Sequence, residues 1–352
     1  MVGDYCGYAM RHRCHRIRLY PTKEQEEKIK QSCGVARFSY NWGLQRWSER
    51  VANGEKPNVY QIRKELNAIK REQFPWMLDV TKCAPMEALL NLGKAFDAFF
   101  KKKSRWPKYK KKGACRDSFS IGLEGGNFTL DGTSLKIPKI TKIRMAEPVR
   151  FNGRATFITI LRVADRWYAV VRVELQDQST TINENQVGCV GIDLGFTTFA
   201  TLSTGEKVEH PRYLRNSLGR IKRCNRELRR KLKGSKNEIK ARIRLGRCYA
   251  RVANQRNSFL HKLTTEISRK FDTVVIENLN VSGLAKTMQF GQSINDSGFS
   301  NFRRMLSYKV KNLVVADRFF PSSKICSSCG LKNKTLKLSE RHWICVWCPT
   351  RS

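Results

Sequence analysis

Acidic residues, histidines and long apolar runs are all scarce in this 352-residue chain. The chain has 30 Asp and Glu against 68 Lys and Arg, a formal net charge of +38. So basic a surface best matches nucleic acid, with an anionic membrane surface as the weaker alternative. No segment approaches the roughly 18 apolar residues of a membrane-spanning helix, and the first residues lack the apolar core of a signal peptide. These absences exclude a secreted or membrane-spanning protein and predict a cytoplasmic one whose cysteines stay reduced.

Histidine is informative because only five are present. The sequence contains neither a His-x-His pair nor a His-Glu-x-x-His motif, which argues against transposases and nucleases that bind metal through paired histidines. His12 and His15 lie among arginines. We therefore expect both side chains to be exposed in a basic N-terminal arm.

The length and the periodicity predict two or three domains of mixed α and β structure. Thr22 and Gln25 fit a capping box that opens a helix, and further helices are expected over about 59–72 and 84–103. Two antiparallel hairpins are predicted within 127–175, one turning at Asp131-Gly132 and one at Ala164-Asp165, and a polar linker within 176–186. Strands, two long helices over 215–270 and further strands follow, and five residues of the second helix share an apolar spacing: Ile239, Ile243, Gly246, Ala250 and Ala253.

Four of the twelve cysteines are concentrated near the C-terminus, as Cys326-x-x-Cys329 and Cys345-x-x-Cys348 with fifteen residues between the two pairs. Two such knuckles bring four thiolates within tetrahedral reach of one Zn²⁺. Two disulfides are the alternative, which a reducing compartment disfavours. The other eight cysteines are scattered singly, which is typical of small buried side chains or of cysteines without a specific role. The sequence therefore predicts a zinc ribbon whose metal supplies most of its folding free energy.

Two segments concentrate the positive charge. Residues 101–116 contain nine Lys and Arg and no acid, with Trp106 and Tyr109 among them, and residues 220–251 carry a net charge of +12. Either segment could be a solvated face, but aromatic rings among cations suit base stacking, and dense unpaired charge on a helix is relieved by a polyanion. We expect nucleic acid to contact Lys101, Lys102, Lys103, Arg105, Trp106, Lys108, Tyr109, Lys110, Arg220, Arg223, Arg226 and Arg230.

A pair of carboxylates stands at the ends of two apolar strands, Asp193 in the first and Glu277 in the second. Alone, each is more often a turn former or a helix cap than a metal ligand. Strand ends can meet at one end of a sheet, however, and two carboxylates there can hold Mg²⁺ for phosphodiester hydrolysis. The basic helices between the strands and the cysteine knuckles after them favour this second interpretation.

The sequence resembles the TnpB proteins of bacterial and archaeal insertion sequences from about residue 14 to residue 348. The matching motifs are IRLYPTKEQE (17–26), RWPKYKKK (105–112), GIDLGFTTFATLSTG (191–205), VVIENLNVSGLAK (274–286), SNFRRMLSYK (300–309), DRFFPSSKICSSCG (317–330) and WICVWC (343–348). The resemblance implies an α+β multidomain fold. Its expected parts are a β-barrel wedge domain (1–20 and 104–180), a helical recognition domain (21–103), an RNase H-like RuvC nuclease domain (187–318) and a zinc ribbon inserted near the end of that domain (319–352).

The resemblance also implies RNA-guided cleavage of double-stranded DNA beside a transposon-adjacent motif, with guide RNA from the element's end. We expect a nucleoid-associated protein; a monomer is the expected form, and the sequence leaves the oligomeric state open. Asp193 and Glu277 match the first two RuvC acids, which bind Mg²⁺. Cys326, Cys329, Cys345 and Cys348 match the zinc ligands.

The third RuvC carboxylate has no counterpart, because the chain stops four residues after Cys348. Asp296 and Asp317 fall at other motif positions, so neither is expected to replace it. Two carboxylates alone predict weak Mg²⁺ binding and reduced or absent cleavage. Two alternatives to an active nuclease therefore stand: a nuclease-deficient RNA-guided DNA binder or truncated inactive product, and a zinc-ribbon protein that acts in transposition without guide RNA.

Overall fold

The computed structural model describes residues 12–122, 128–175, 188–280, 296–317, 324–326, 328–333 and 343–348. The predicted linker at 176–186 lies outside these residues. The chain divides into two compact units. The first contains residues 1–180 and 227–250, and the second contains residues 181–226 and 251–352.

Three helices of the first unit follow the sequence pattern closely: α1 (Lys23–Ala52), α2 (Val59–Gln73) and α3 (Cys83–Phe100), with a short 3₁₀ helix at Pro75–Asp79 before α3. The predicted capping box opens α1, because the Thr22 hydroxyl accepts from the Gln25 backbone N–H while the Gln25 side chain accepts from the Thr22 N–H. The Gln25 amide also donates to the Thr141 hydroxyl at 2.8 Å, which connects the start of α1 to the sheet.

Seven antiparallel strands form a curled sheet in the first unit: β1 (His12–Tyr20), β2 (Ser118–Gly122), β3 (Thr129–Asp131), β4 (Ser134–Ile137), β5 (Ile140–Met145), β6 (Gly153–Val163) and β7 (Arg166–Leu175). Their order is β2-β6-β7-β1-β5-β4-β3, and within the described residues the sheet ends at β2 and β3. Alternate side chains such as Ile17, Leu19 and Val171 are buried in one core with α1–α3. The opposite face of the sheet carries the polar members of each strand.

The two predicted hairpins are present, with one correction to a turn. Val163 pairs with Arg166, so the loop of the second hairpin is Ala164-Asp165 as predicted. In the first hairpin Asp131 pairs with Ser134, so Gly132 and Thr133 form the loop rather than Asp131 and Gly132. Gly132 has a φ of +51°, a backbone angle that glycine adopts without steric cost.

His15 corrects the expectation of an exposed basic arm. It lies in strand β1, and its side chain is buried against the segment that follows β5. One ring nitrogen lies 3.3 Å from Glu147 Oε1 and the other accepts from the Arg150 backbone N–H. Burial lowers the pKa of His15 despite the opposing charge of Glu147, so the neutral imidazole is favoured. His12 is exposed, as expected.

The second unit is built on a five-stranded mixed sheet of β8 (Cys189–Leu194), β9 (Thr198–Leu202), β10 (Lys207–Glu209), β11 (Thr273–Glu277) and β12 (Asn312–Ala316). The order is β10-β9-β8-β11-β12, in which β8, β11 and β12 run parallel while β9 and β10 pair antiparallel. Its core centres on Phe199, which is fully buried and lies 5.2–5.6 Å from the rings of Phe259, Phe299 and Phe302. These rings belong to strand β9 and to the helices Lys236–Lys270 and Phe299–Lys309.

Three further helices are α4 (Tyr213–Arg229), α5 (Lys236–Lys270) and α6 (Phe299–Lys309). We call residues 213–270, which hold α4 and α5, the basic hairpin. The apolar face expected on α5 was partly wrong, because Ile239 is 52% exposed while Ala241, Cys248 and Val252 are buried. None of the helices in the described parts of the chain combines the length and the apolar character that crossing a membrane requires.

Candidate metal centres and nucleic-acid interface

The sheet of the second unit brings Asp193 and Glu277 side by side. Strands β8 and β11 are parallel neighbours in which Ile192 pairs with Ile276, and the two acids are the next residue of each strand. Hydrogen-bonded neighbouring strands lie about 4.8 Å apart. Both acids are exposed on the face opposite to the buried Ile192 and Ile276. The two predicted carboxylates therefore share one face at the carboxyl ends of adjacent parallel strands.

An arginine–asparagine contact lies next to Glu277 in the chain. Arg303 of α6 donates from Nη1 to the Asn278 side-chain oxygen at 3.2 Å, one residue beyond Glu277. Sequence reasoning did not select Arg303, although it lies in the motif SNFRRMLSYK. Within the described ranges, no third His, Cys, Asp or Glu joins the pair in a group that could hold a metal ion.

The Asp296 carboxylate accepts hydrogen bonds elsewhere in the second unit. Its carboxylate is 5% exposed and accepts from the backbone N–H groups of Leu214 and Arg215 at 2.9 and 3.1 Å. Asp296 therefore caps the N-terminus of α4, where a negative charge also favours the helix dipole. Both carboxylate oxygens of Asp296 are therefore engaged at this helix end.

The four predicted zinc ligands come together. The Sγ atoms of Cys326, Cys329, Cys345 and Cys348 all lie within 4.8 Å of one another, and the closest pair, Cys326 and Cys348, is 3.3 Å apart. Four sulfurs around a tetrahedral Zn²⁺ at about 2.3 Å are separated by about 3.8 Å, so the donor set fits this metal. The cluster can hold a zinc ion.

The first knuckle shows why the local sequence positions its sulfurs. The Cys326 N–H donates to the Leu331 carbonyl and the Gly330 N–H donates to the Cys326 carbonyl, which closes a tight turn. Gly330 has a φ of +72°, a left-handed backbone angle that glycine adopts readily in a tight turn. The Leu331 backbone N–H favours the Cys329 thiolate, but desolvation and the three neighbouring cysteines raise the pKa of Cys329 to about 12. Metal binding must therefore displace protons.

The basic segment 101–116 is fixed to the helices of the first unit at two points. The Trp106 ring packs edge-on against Phe96 and Phe99 of α3 at 5.1 and 5.2 Å, and it remains 40% exposed. The Lys110 ammonium lies 3.7 Å from the centre of the Tyr40 ring, and desolvation lowers its pKa. The other predicted contact residues of the segment are exposed: Lys101, Lys102, Lys103, Arg105, Lys108 and Tyr109. Lys110 is thus the least accessible of the set.

The predicted arginines of the basic hairpin lie on one face of α4. At about 100° per residue, Arg220, Arg223 and Arg226 fall within an arc of about 120° opposite to Ile221. Ile221 is buried and the three arginines are exposed. Arg230 follows the end of the helix and is also exposed. Within the described residues, the structure gives none of these four arginines an ion pair.

A basic face of the seven-stranded sheet was missed by sequence reasoning. On the side opposite to Ile17 and Leu19, guanidinium groups lie 4.7–5.1 Å from the centres of aromatic rings: Arg16 over Tyr168, Arg18 and Arg144 over Tyr20, and Arg172 over Phe157. Such pairs hold a cation in place while leaving its outer edge available to a phosphate. Arg16 and Arg18, two positions apart in β1, were the available signal.

Known families match three successive parts of the chain. A family described as "Probable transposase" (OrfB_IS605) matches residues 170–288, a "Helix-turn-helix domain" matches 10–56, and a "Cas12f1-like, TNB domain" matches 299–351. A Streptomyces pristinaespiralis protein named "Putative RNA-guided DNA endonuclease" is 35% identical over 344 residues, which cover 95% of this chain and 84% of that protein. The chain belongs to the TnpB family.

Other comparisons agree with the TnpB assignment. "Putative RNA-guided DNA endonuclease InsQ" of Escherichia coli (strain K12) is 27% identical over 352 residues, covering 94% of this chain and 86% of that protein. The solved structure "Cryo-EM structure of the Cas12f1-sgRNA-target DNA complex" is similar in fold, with a TM-score of 0.53 at 12% identity over 94% of this chain and 93% of that chain. In this TnpB-family chain, residues 23–52 form one uninterrupted helix, so the helix-turn-helix name does not describe the local structure.

Proposed function

We propose that this TnpB-family chain is a transposition-associated, RNA-guided DNA-binding protein that cleaves double-stranded DNA beside a short transposon-adjacent motif. The observation that carries the proposal is the placement of Asp193 and Glu277 on one face at the ends of adjacent parallel strands. Relatives that match nearly the whole chain are named as RNA-guided DNA endonucleases. Their names and this geometry support the same chemistry.

The architecture supports separate roles for different parts of the chain. The five-stranded sheet, with three parallel strands and an antiparallel hairpin at its edge, suits an RNase H-like RuvC domain over 187–318. The curled sheet suits a wedge domain (1–20 and 104–180), and α1–α3 suit a helical recognition domain (21–103). The cysteine cluster suits a structural zinc ribbon over 319–352.

The carboxylate pair fits magnesium in its donor type and exposure. Asp193 and Glu277 offer oxygen ligands on one open face, which hard cations such as Mg²⁺ prefer. A Mg²⁺ ion held by these carboxylates would supply an activated water and charge stabilisation for the leaving oxygen of a phosphodiester. The chain's own contribution is to hold the two carboxylates in register and to bring the Arg303 guanidinium next to Asn278.

The basic surfaces suit the two nucleic-acid partners, which are guide RNA from the element's end and the DNA target. The arginine face of α4, the segment 101–116 and the basic face of the curled sheet all expose cations. Phosphate contacts of this kind supply affinity without sequence information, and guide pairing would supply the sequence. We propose a monomer as the working form.

A nuclease-deficient RNA-guided DNA binder is the second candidate. The observation that favours it is the absence, within the described residues, of a third carboxylate beside Asp193 and Glu277. Two metal ions about 4 Å apart need more ligand charge than two carboxylates supply. In this case the basic surfaces would bind RNA and DNA while cleavage is weak or lost.

One experiment separates these functions. The full chain is purified with its copurified RNA, the RNA is sequenced, and a plasmid library is built with the matching target beside randomised flanking bases. The library is incubated with Mg²⁺ or with EDTA, and cutting and binding are both measured. Asp193→Ala and Glu277→Ala are compared with Glu209→Ala, an exposed acid on β10 of the same sheet.

The outcomes are distinct. Mg²⁺-dependent cutting that disappears in Asp193→Ala and Glu277→Ala but persists in Glu209→Ala supports the nuclease and refutes the nuclease-deficient binder. Sequence-specific binding without cutting supports the nuclease-deficient binder instead. Sequence-specific binding that survives RNase treatment refutes RNA guidance and supports direct action in transposition.

A further inference from the structure

The turn between β6 and β7 has an unusual residue at its tip. Val163 pairs with Arg166 across a two-residue loop, and Ala164 in that loop has a φ of +56°. Two-residue hairpin loops with a positive φ at this position favour glycine, because a Cβ crowds the backbone there. A non-glycine residue in this conformation is strained, and such strain often accompanies a functional constraint.

Ala164 contacts the basic hairpin at the point where α5 has a glycine. A Cβ at Gly246 would lie 3.2 Å from Ala164 Cβ and 3.5 Å from Ala164 Cα, so the turn and the helix approach closely. Ala164 and Gly246 both belong to the first unit. The methyl group of Ala164 thus fills the space that the missing side chain of Gly246 leaves.

The neighbouring residue of each partner forms a two-point ion pair. Arg247 donates from Nε to Asp165 Oδ1 at 2.9 Å and from Nη2 to Asp165 Oδ2 at 2.5 Å. Paired hydrogen bonds of this kind fix direction as well as distance. Asp165 lies in the β6–β7 turn of the curled sheet and faces the 227–250 part of the basic hairpin. The two acids of that part, Glu227 and Glu238, pair with Arg244 and Arg242.

We propose that the β6–β7 turn is a docking point for the 227–250 part of the basic hairpin, and that Asp165 is a positioning residue that holds the cations of this part where nucleic acid binds. The inference rests on the proposed function, because it assumes that the cations of residues 227–250 contact phosphate. Three features contribute to the same contact: the strained backbone of Ala164, the absence of a side chain at Gly246 and the ion pair between Asp165 and Arg247. Asp165 affects nucleic-acid binding by positioning the helix, and it does not itself contact the nucleic acid.

The test uses a substitution for which the change in net charge and the loss of docking predict opposite changes in nucleic-acid affinity. Asp165→Asn makes the chain more positive by one charge, so electrostatics alone predicts tighter binding to nucleic acid. Loss of docking predicts weaker binding, since fewer arginines then meet phosphates at once. Glu227→Gln is the matched control, because it makes the same charge change on the basic hairpin, where Glu227 lies 3.9 Å from Arg244.

Affinity for a fluorescein-labelled 30-base-pair DNA duplex of random sequence is measured at several salt concentrations. We expect Asp165→Asn to bind the duplex about threefold more weakly than Glu227→Gln does. The slope of log affinity against log salt should also be smaller, by the contribution of about one to two phosphate contacts. The charge-swapped double variant Asp165→Arg with Arg247→Asp should restore wild-type binding. Equal binding by Asp165→Asn and Glu227→Gln, or no rescue by the charge swap, overturns the proposal.

The contact itself is tested without nucleic acid. Cβ atoms in disulfides lie about 3.5–4.5 Å apart, so Ala164→Cys with Gly246→Cys should crosslink under mild oxidation after a small shift. The crosslinked peptides are identified by mass spectrometry, since the chain has twelve other cysteines. Failure to crosslink in a folded protein overturns the docking contact. If the wild-type chain binds the duplex without salt dependence, the proposed function fails while the crosslink still reports on docking.

Discussion

The arginine face of α4 makes a quantitative prediction about salt. Arg220, Arg223, Arg226 and Arg230 are exposed and, within the described residues, have no ion pair, so each is available to one phosphate. Each phosphate contact with duplex DNA contributes about 0.9 to the slope of log affinity against log salt. Replacing all four with alanine should therefore reduce the slope by about 3.6. Between 50 and 200 mM salt, the wild-type chain should lose about 150-fold more affinity than the variant.

The assay is fluorescence anisotropy with a labelled 30-base-pair duplex across that salt range. The control variant removes Arg46 and Arg150, whose guanidinium groups lie 2.9 and 2.7 Å from the carboxylates of Glu49 and Glu147. Because those charges are already compensated, the control should change the slope by less than the contribution of about one phosphate contact. A slope that is the same in the fourfold variant and in wild type would refute the assignment of this face to phosphate binding.

Three other predictions concern the metal, the core and the ion pair. Cys345→Ser should lower bound zinc well below one ion per chain by elemental analysis, whereas Cys189→Ser, an exposed cysteine outside the cluster, should not. Phe199→Ala should lower the free energy of unfolding by about 3–5 kcal/mol in a denaturant titration, because it empties a fully buried ring site, and a loss below about 1 kcal/mol would contradict the packing. Hydrogen bonds from Arg247 lower the pKa of Asp165 from 3.8 to about 2, so their stabilisation is present above about pH 4 and is lost as the pH falls through about 2. Thermal unfolding should therefore separate Asp165→Asn from wild type more at pH 6 than at pH 2, and an equal difference at both would contradict this.

Local features of the fold could be predicted from the sequence. The capping box at Thr22 and Gln25, the loop Ala164-Asp165 and the turn at Gly330 each depend on residues within a few positions, and the structure has all three. The shift of the other hairpin loop to Gly132 and Thr133 shows the limit, because a register depends on the whole pairing of β3, β4 and β5.

The candidate sites divide in the same way. Cysteine spacing alone predicted the cluster at Cys326, since each knuckle is a local turn. Sequence could place Asp193 and Glu277 at strand ends, but 84 residues separate them, and only the parallel pairing of β8 with β11 makes them neighbours. Arg303 escaped prediction because its position beside Asn278 depends on how α6 packs on the sheet.

The sequence by itself determined the chemistry that is available: a large excess of cations, four thiolates at metal spacing and two acids at strand ends. The tertiary structure alone decided which of these groups are exposed and which are engaged. It buried His15 beside Glu147, used Asp296 to cap α4 and paired Arg247 with Asp165. The physical reason is that a side chain's solvation and partners are set by whatever distant segment packs against it, and a linear pattern does not contain that information.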